Sequence, residues 1–342
     1  MAISTYGQQR LLKLGQDVST QFGTQLLLQE GKALMDNLIT VRPTPSIYIT
    51  DSILGRVPVV KLLQDTREFN NLQVLDSAAG LDSRVKQCLP YGNSVKVKKT
   101  DVMSRNVVLD AGAIASGLAA RVAEHPSHQA TVALLNSTTT HNQYIGFDSQ
   151  AIFSTAHTYP GNPSVAAQSN LMSGTFTEAN VEEYIATARA WQDNEGQPLF
   201  SGGDLKPVVM VGEKNYWTAA KMFDRNYGTD IVGGTATAEN ILKNKIEWFS
   251  NPWLDAYGEA DSFYIFFRRA GISPIVHAVF EQPLMINIVD PQNLHVAMTR
   301  EFLFMTEMYT HTFVPFWYNC LKSTGTGTAS STYTGNTILV TK

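Results

Sequence analysis

Cysteine and charged residues are both scarce in this sequence. Two thiols, Cys88 and Cys320, are too few for a disulfide-stapled scaffold, so we expect two buried, reduced side chains. Charged residues make up 16% of the 342 residues and the net charge is −4, which argues against a protein that binds nucleic acid through a strongly basic face. With 24 glycines and 14 prolines, the composition is neither collagen-like nor that of a disordered linker.

Long hydrophobic runs are missing as well. The apolar runs are short, as at 208–211 and 263–267, and none approaches the roughly 20 residues that a membrane helix needs. The start of the chain lacks the continuous apolar core of a signal peptide. We therefore expect a soluble protein that is made in a cytoplasm and has no membrane partner. Apolar residues amount to 44%, which suffices for a sizeable core in two domains or one large domain.

Positive charge is concentrated in one segment. Residues 84–105 carry a balance of +5 and, since the whole chain is −4, the remainder is −9. Ser94–Lys98 alternates apolar and cationic residues, as in a strand with one covered face, and Pro90–Asn93 predicts the turn of a hairpin. We expect this basic hairpin to contact another copy of the chain; the alternative is a solvated edge strand whose lysines prevent aggregation. The candidate contact residues are Arg84, Lys86, Lys96, Lys98 and Lys99.

The spacing of apolar residues predicts helices and strands along the chain. A helix is predicted over 110–124, with Pro126 ending it and a second helix beyond; together they predict a long, bent helix. Another is predicted over about 177–194, with Thr175 or Thr177 as its capping residue. Strands are predicted at 207–211, 246–249, 262–269, 274–280, 284–288 and 295–304.

No set of residues signals a specific chemistry. Asp148, Ser154 and His157 lie close together in sequence, but a catalytic triad is defined by spatial geometry. His125 and His128 are three residues apart, although Pro126 and the lack of further ligands nearby weaken a metal site. We therefore expect no catalytic residues, no metal and no cofactor.

The second half of the chain contains an ordered set of short segments. Phe-Ser-Thr-Ala-His at 153–157 is followed by the pair Ser169–Asn170. These segments are similar to the Phe-x-x-x-His-Pro and Ser-Asn pattern of Mu-like phage major head proteins, although Thr158 stands in place of the proline. The resemblance covers roughly residues 145–322, and the first 140 residues match by element order only. Further matching segments are the amphipathic helix, 207–211, 216–223, 240–249, 252–255, 296–304, Phe313 and Phe316–Trp317.

The resemblance implies the Hong Kong 97-type capsid fold. This α+β fold has an N-terminal arm, an extended β-hairpin loop, a peripheral domain with a long spine helix, and an axial domain. On this chain the implied divisions are the arm at 1–45, the extended loop and start of the peripheral domain at 46–106, the spine helix at 107–144, mainly axial domain at 145–280, returning peripheral strands at 281–322 and a C-terminal tail at 323–342.

The function implied by the resemblance is that of a major capsid protein. Such a protein assembles with itself, as hexamers and pentamers, into the icosahedral shell of a tailed phage and encloses double-stranded DNA without sequence-specific binding. The implied partners are scaffold and portal proteins, with decoration proteins as a further candidate. The implied place of assembly is the bacterial cytoplasm, and the final location is the virion capsid. We expect noncovalent assembly without crosslinks between subunits. The alternatives are an encapsulin-like shell around enzyme cargo and a hydrolase that uses the Asp148 region.

Overall fold

A computed structural model describes the chain in two compact units. Unit 1 is drawn from Met1–Tyr48, Gln87–Ala130 and His277–Thr312, and unit 2 from Ile49–Lys86, Thr131–Val276 and Phe313–Lys342. The described residues are 5–29, 35, 37–53, 82–98, 100, 111–138, 143–158, 166–192, 196, 198–200, 205–225, 231–232, 235–236, 242–243, 245–268, 273–290 and 292–325.

Helices and strands alternate along the described chain. The helices are α1 (Thr5–Gln29), α2 (Ala111–Asn136), α3 (Glu178–Arg189), α4 (Tyr216–Phe223), α5 (Pro252–Ala256) and α6 (Leu294–Thr299). The strands are β1 (Ile39–Pro43), β2 (Tyr48–Ile53), β3 (Asp82–Gln87), β4 (Leu89–Lys98), β5 (Leu171–Met172), β6 (Lys206–Val211), β7 (Ile231–Val232), β8 (Thr235–Ala236), β9 (Glu247–Ser250), β10 (Phe263–Arg268), β11 (Ile275–Ile288), β12 (Glu301–Phe313) and β13 (Cys320–Ser323). Beside the two main sheets, β2 pairs with β3 and β7 with β8.

Unit 1 is built on a four-stranded sheet with one covered face. The strand order is β1-β11-β12-β4, and β12 runs antiparallel to β4 with Phe302 opposite Val97. Phe302 and Phe304 point into the core, whereas Leu303 between them is partly exposed. This alternation is typical of an antiparallel sheet that packs on one side. Helices α1 and α2 cover that side with Leu14, Val18, Phe22, Ala115, Leu118, Ala119 and Val122.

The long helix α2 runs through a proline. The predicted long helix is confirmed as α2, whereas the predicted end of its first half at Pro126 is wrong, because α2 continues from Ala111 to Asn136 with Pro126 inside it. A proline in a helix interior lacks the N–H that would bond the preceding turn, which costs about 3 kcal/mol. Burial on both sides of the proline offsets this cost, since Leu118 and Leu134 are completely buried.

Two segments of unit 1 differ from their predicted structures. Pro90–Asn93, predicted to be a turn, lies within β4, so the predicted hairpin is one long strand. Proline is tolerated there because β4 is an edge strand, where a missing N–H can face away from the ladder. Residues 295–304, predicted to be a strand, divide between α6 and β12. Asn293 caps α6 by accepting the N–H of His295 at 3.0 Å, and Arg300 turns the chain with a left-handed φ of 58°.

Unit 2 is built on a five-stranded sheet whose central strand is covered on both faces. The order is β5-β13-β10-β6-β9, and β10 is antiparallel to both of its neighbours. All residues of Phe263–Phe267 are completely buried. On one face Phe263 packs with α3 and α4; on the other, the rings of Tyr264 and Phe153 meet edge to face at 5.6 Å. The apolar runs predicted as strands at 207–211 and 262–269 are confirmed as β6 and β10.

The start of α3 follows from its capping residue. The hydroxyl of Thr177 accepts the N–H of Asn180 at 3.3 Å, which makes Thr177 the N-cap of the two predicted candidates. Thr175 contributes its carbonyl instead, which accepts the Asn180 side-chain amide at 2.7 Å. The predicted helix is confirmed, although it ends at Arg189, and its buried stripe is Val181, Tyr184, Ile185 and Ala188.

Two histidines of unit 1 are uncharged at neutral pH. His125 of α2 hydrogen bonds with Thr310 Oγ1 at 2.9 Å, and His277 of β11 with Thr312 Oγ1 at 2.7 Å. Their ring centroids lie 5.9 Å apart. Burial, with smaller repulsions from His277 and His128, lowers the pKa of His125 to about 3. Burial also lowers the pKa of His277 to about 4.

We expect the folded chain to lose stability in acid at these two histidines. The unfolded chain takes up both protons near pH 6.5, whereas the folded chain takes them up only near pH 4 and pH 3. The stability that the neutral rings contribute is therefore complete above pH 6.5 and is lost as the pH falls through that window. The expected slope is about 1.4 kcal/mol per pH unit for each histidine. Urea unfolding at pH 7.5, 6.5 and 5.5 measures it.

The control for this slope is the variant His277→Gln. Glutamine can still hydrogen bond with Thr312 but does not titrate, so the slope should decrease by the share of one histidine. The same slope in His277→Gln as in the parent chain would mean that other groups cause the acid sensitivity.

Candidate assembly surface and a buried histidine network

Two of the five predicted contact residues lie on the exposed side of β4. Lys96 and Lys98 are exposed and point to the same side of the strand, about 7 Å apart, while Val97 between them is buried in the core. Lys96 Nζ lies 3.7 Å from Glu301 Oε2 on the neighbouring strand, with the lysine side chain 59% exposed. Lys98 makes no ion pair with the described residues. Both ammonium groups are thus available to another molecule.

The other three predicted contact residues are placed differently. Lys86 is 3% exposed, and its Nζ lies 3.7 Å from the centroid of the Phe313 ring, so it packs inside unit 2. Arg84 belongs to β3, and its side chain lies outside the described residues. Lys99 also lies outside the described residues. The predicted role of Arg84 and Lys99 in contacts between copies stays a prediction.

Apolar side chains share the exposed side of this sheet with the lysines. Leu303 lies opposite Lys96 in the register and is partly exposed. On the same side, the rings of Tyr309 and Phe280 meet at 6.3 Å, and Phe280 is 41% exposed. An exposed apolar patch on an antiparallel sheet is typical of an interaction surface. We call this surface the outer face; its residues are Lys96, Lys98, Phe280, Glu301, Leu303, Met305 and Tyr309.

His157 lies at the centre of a buried polar network in unit 2. Its Nδ1 is 2.6 Å from Asp148 Oδ2, and neither side chain is more than 1% exposed. Its Nε2 is 2.9 Å from Asn170 Oδ1 and 3.1 Å from the carbonyl oxygen of Ile152. The indole of Trp317 lies parallel to the imidazole, with centroids 4.6 Å apart and 2° between the planes.

Asn170 joins segments that are far apart in sequence. Its side-chain nitrogen donates toward the carbonyl oxygens of Ile152, Trp317 and Cys320, at 2.7, 2.9 and 3.2 Å. Its side-chain oxygen accepts the backbone N–H of Ser154 at 3.0 Å. Ile152 and Ser154 lie in an irregular segment, where backbone polar atoms lack the partners that a helix or sheet provides, whereas Trp317 is in a 3-10 turn and Cys320 begins β13. In the sequence, Asn170 stands out only as part of the Ser-Asn pattern, and its hydrogen bonds with distant backbone groups were not predicted.

The geometry does not support a catalytic triad at these residues. The hydroxyl of Ser154 accepts the N–H of Ala156 at 3.3 Å and makes no hydrogen bond with His157 among the described residues. Nε2 of His157, which a nucleophile would need, is already occupied by Asn170 and Ile152. The described side chains therefore do not form the triad that the hydrolase alternative requires.

Other reactive groups of the described chain do not assemble into a site. Within the described ranges, no group of three or more His, Cys, Asp or Glu side chains is arranged to hold a metal ion. Cys88 and Cys320 are free and buried, as predicted, and burial raises the pKa of both thiols. In the part of the chain that the structure describes, every helix is too short or too polar to cross a bilayer.

Comparison with known proteins finds similarity in structure only. No protein-family model and no curated protein sequence matches the chain. The capsid of cyanophage Pam1 matches with a TM-score of 0.50 and 10% identity, over 84% of this chain and 90% of that chain. Mycobacterium phage Patience matches with a TM-score of 0.50 and 10% identity, over 93% and 89%. A procapsid of bacteriophage JBD30 matches with a TM-score of 0.46 and 13% identity, over 89% and 72%.

These matches define the fold. The alignments with Pam1 and Patience extend over most of the chain, and both place it in the Hong Kong 97-type capsid fold. The predicted α+β fold class is confirmed. The matches do not single out the Mu-like head proteins among phage capsid proteins.

Asn170 should be far more important for stability than Ser154. The variant Asn170→Ala removes hydrogen bonds to three buried carbonyls and one buried N–H, and each lost bond costs about 0.5–1.5 kcal/mol. We expect a loss of at least about 3 kcal/mol in the free energy of unfolding. Ser154→Ala removes one long hydrogen bond and should cost less than about 1 kcal/mol. Urea unfolding of both variants tests this, and similar losses would contradict it.

Proposed function

We propose that the protein is the major capsid protein of a tailed double-stranded DNA phage and forms the icosahedral shell around the genome. The observation that carries this proposal is the extent of the shared fold. It spans 84% and 93% of this chain and about nine-tenths of each of the two phage proteins, so no large part of either fold is missing. Many functions can share one fold. The surface of the chain therefore has to supply independent support.

The distribution of apolar surface supports a protein that is covered by copies of itself. Leu294 and Met298 of α6 are 73% and 76% exposed, and they lie four residues apart on one side of the helix. Leu284 of β11 is 54% exposed. Together with Phe280 and Leu303 of the outer face, these residues are exposed apolar side chains of unit 1 that a partner could cover. In a shell, neighbouring subunits would bury it.

The net charge of the chain also suits a shell that encloses DNA. A net charge of −4 avoids tight binding of the phosphate backbone, so the shell can confine DNA without gripping it. This supports enclosure of DNA without sequence-specific contacts. In the proposal, hexamers and pentamers of the chain form the shell. Scaffold and portal proteins are its partners, and decoration proteins are a further candidate. The subunits assemble in the bacterial cytoplasm and end in the virion.

The two units suggest how the chain divides within the capsid fold. We assign unit 1, with α1 and α2 against the four-stranded sheet, to the arm and the peripheral domain. Unit 2, with the five-stranded sheet, is assigned to the axial domain. In this assignment the chain returns to the peripheral sheet with β11 and β12, and β13 belongs to the axial sheet. The paired strands β2 and β3 form the base of the extended loop.

Electron microscopy tests the proposed function directly. We expect negative-stain images of the purified protein, alone or with its scaffold, to contain closed shells or rings of five and six subunits, matched by fast-sedimenting material. Denaturing gels should then show single subunits, since we propose noncovalent assembly. Small uniform shells that carry an enzyme would favour the encapsulin-like alternative. Discrete monomers under every condition, scaffold included, would contradict a capsid role.

Charge reversal on β4 should block assembly and leave the subunit folded. Lys96→Glu together with Lys98→Glu changes two exposed side chains and places both beside Glu301, so we expect a loss of about 1 kcal/mol or less at each site. It also replaces attraction to an acidic neighbour by repulsion. Particle yield by sedimentation and the urea midpoint of the subunit measure the two effects.

The matched control keeps the charge and changes the side chain. Lys96→Arg with Lys98→Arg should assemble as the parent chain does, because both positive charges remain. Normal particles from the glutamate variant would support the alternative that these lysines only protect an edge strand.

A further inference from the structure

Both ring nitrogens of His157 face oxygen atoms, and the two oxygens at Nε2 can only accept. Nδ1 faces the carboxylate of Asp148 at 2.6 Å. Nε2 faces the carbonyl oxygen of Ile152 at 3.1 Å and the side-chain oxygen of Asn170 at 2.9 Å. Nε2 must therefore donate, and in a neutral imidazole Nδ1 could accept only from a protonated Asp148. Beside an ionised Asp148 both nitrogens donate, and two donor nitrogens exist only in the imidazolium form.

The orientation of the Asn170 amide is set independently of His157. Its nitrogen is surrounded by the carbonyl oxygens of Ile152, Trp317 and Cys320, and its oxygen receives the N–H of Ser154. Exchanging the two atoms would place an oxygen against three carbonyls and an amino group against an N–H. The atom that faces Nε2 of His157 is therefore the oxygen.

We infer that His157 is a buried imidazolium that forms an ion pair with Asp148 and clamps three segments of unit 2. The segments are the stretch from Asp148 to His157, the residue Asn170, and the 3-10 turn Trp317–Asn319. This role differs from the proposed capsid function and does not depend on it.

The surroundings of the pair suit a permanent charge. The second carboxylate oxygen of Asp148 accepts the N–H of Gln150 at 3.2 Å, so both of its oxygens are hydrogen bonded. The face of the Trp317 indole lies on the imidazole, which is the geometry of a cation–π contact. Buried ion pairs are stable only where such additional bonds satisfy both partners. Asp148 is the titratable group that contacts the ring; its other contacts are Asn170, Ile152 and Trp317.

Nitrogen NMR tests the protonation of His157 in the intact protein. The full chain is labelled with ¹⁵N-histidine and studied by magic-angle spinning, which accepts free and assembled subunits alike. We expect both ring nitrogens of His157 to carry a proton at pH 7.5 and to resonate in the imidazolium range. One nitrogen with the resonance of an unprotonated imidazole nitrogen would overturn the inference.

The His157 signal can be assigned even if a variant does not fold. It is the signal that disappears in His157→Gln. If that variant is insoluble, the other six of the seven histidines are replaced one at a time, and the signal present in every spectrum belongs to His157. The parent spectrum then decides the question without any variant of the network.

A pair of matched variants tests the clamp itself. Asp148→Asn keeps the shape but removes the buried charge, and we expect Tm to fall by about 10 °C and His157 to lose one ring proton. The control is Asp261→Asn, which makes the same change in an ion pair with Lys214 whose side chains are 58% and 51% exposed. We expect that change in Tm to be about 2 °C or less. Equal effects of the two variants, with both ring protons retained in Asp148→Asn, would contradict the clamp.

Discussion

Strand β10 has neither face open to water, and the rest of unit 2 is organised around covering it. The residues Phe263–Phe267 alternate between two faces and all are completely buried. One face is covered by regular structure, since α3 and α4 pack there with their apolar stripes. The other face is covered in part by Phe153, which lies in a segment without helix or strand. A buried irregular segment must find partners for its backbone polar groups by other means.

The polar network around Asn170 meets this requirement. It satisfies carbonyls of the 152–154 segment and of the turn at Trp317 that leads into β13. The ion pair of His157 and Asp148 holds the same segment from its other side. Residue types that are familiar from active sites therefore serve packing here, because a side chain with no open nitrogen and no contact with solvent cannot reach a substrate.

Within the described chain, one side of the unit 1 sheet is uncovered, whereas both sides of the central strand of the unit 2 sheet are covered. Alternate residues of β12 point to the helices, and the residues between them form the outer face with Lys96 and Lys98. An apolar surface with lysines at its edge can persist in a soluble subunit and still be buried between copies. This difference between the two sheets links the fold to the proposed assembly, because the uncovered side of the unit 1 sheet would be buried between copies.

Local pattern in the sequence was enough to predict most helices and strands, including β6, β10 and α3, because the spacing of apolar residues and the cap at Thr177 act within one element.

Tertiary structure decided which of the basic residues are exposed. Lys86 and Lys96 look equivalent in sequence, but only the first meets the Phe313 ring, more than two hundred residues later. It also decided that Pro90–Asn93 pairs with β12 and that α2 continues past Pro126. The partners of His157 and Asn170 come from separate segments of the chain, and no periodicity encodes contacts that form only when the chain has folded.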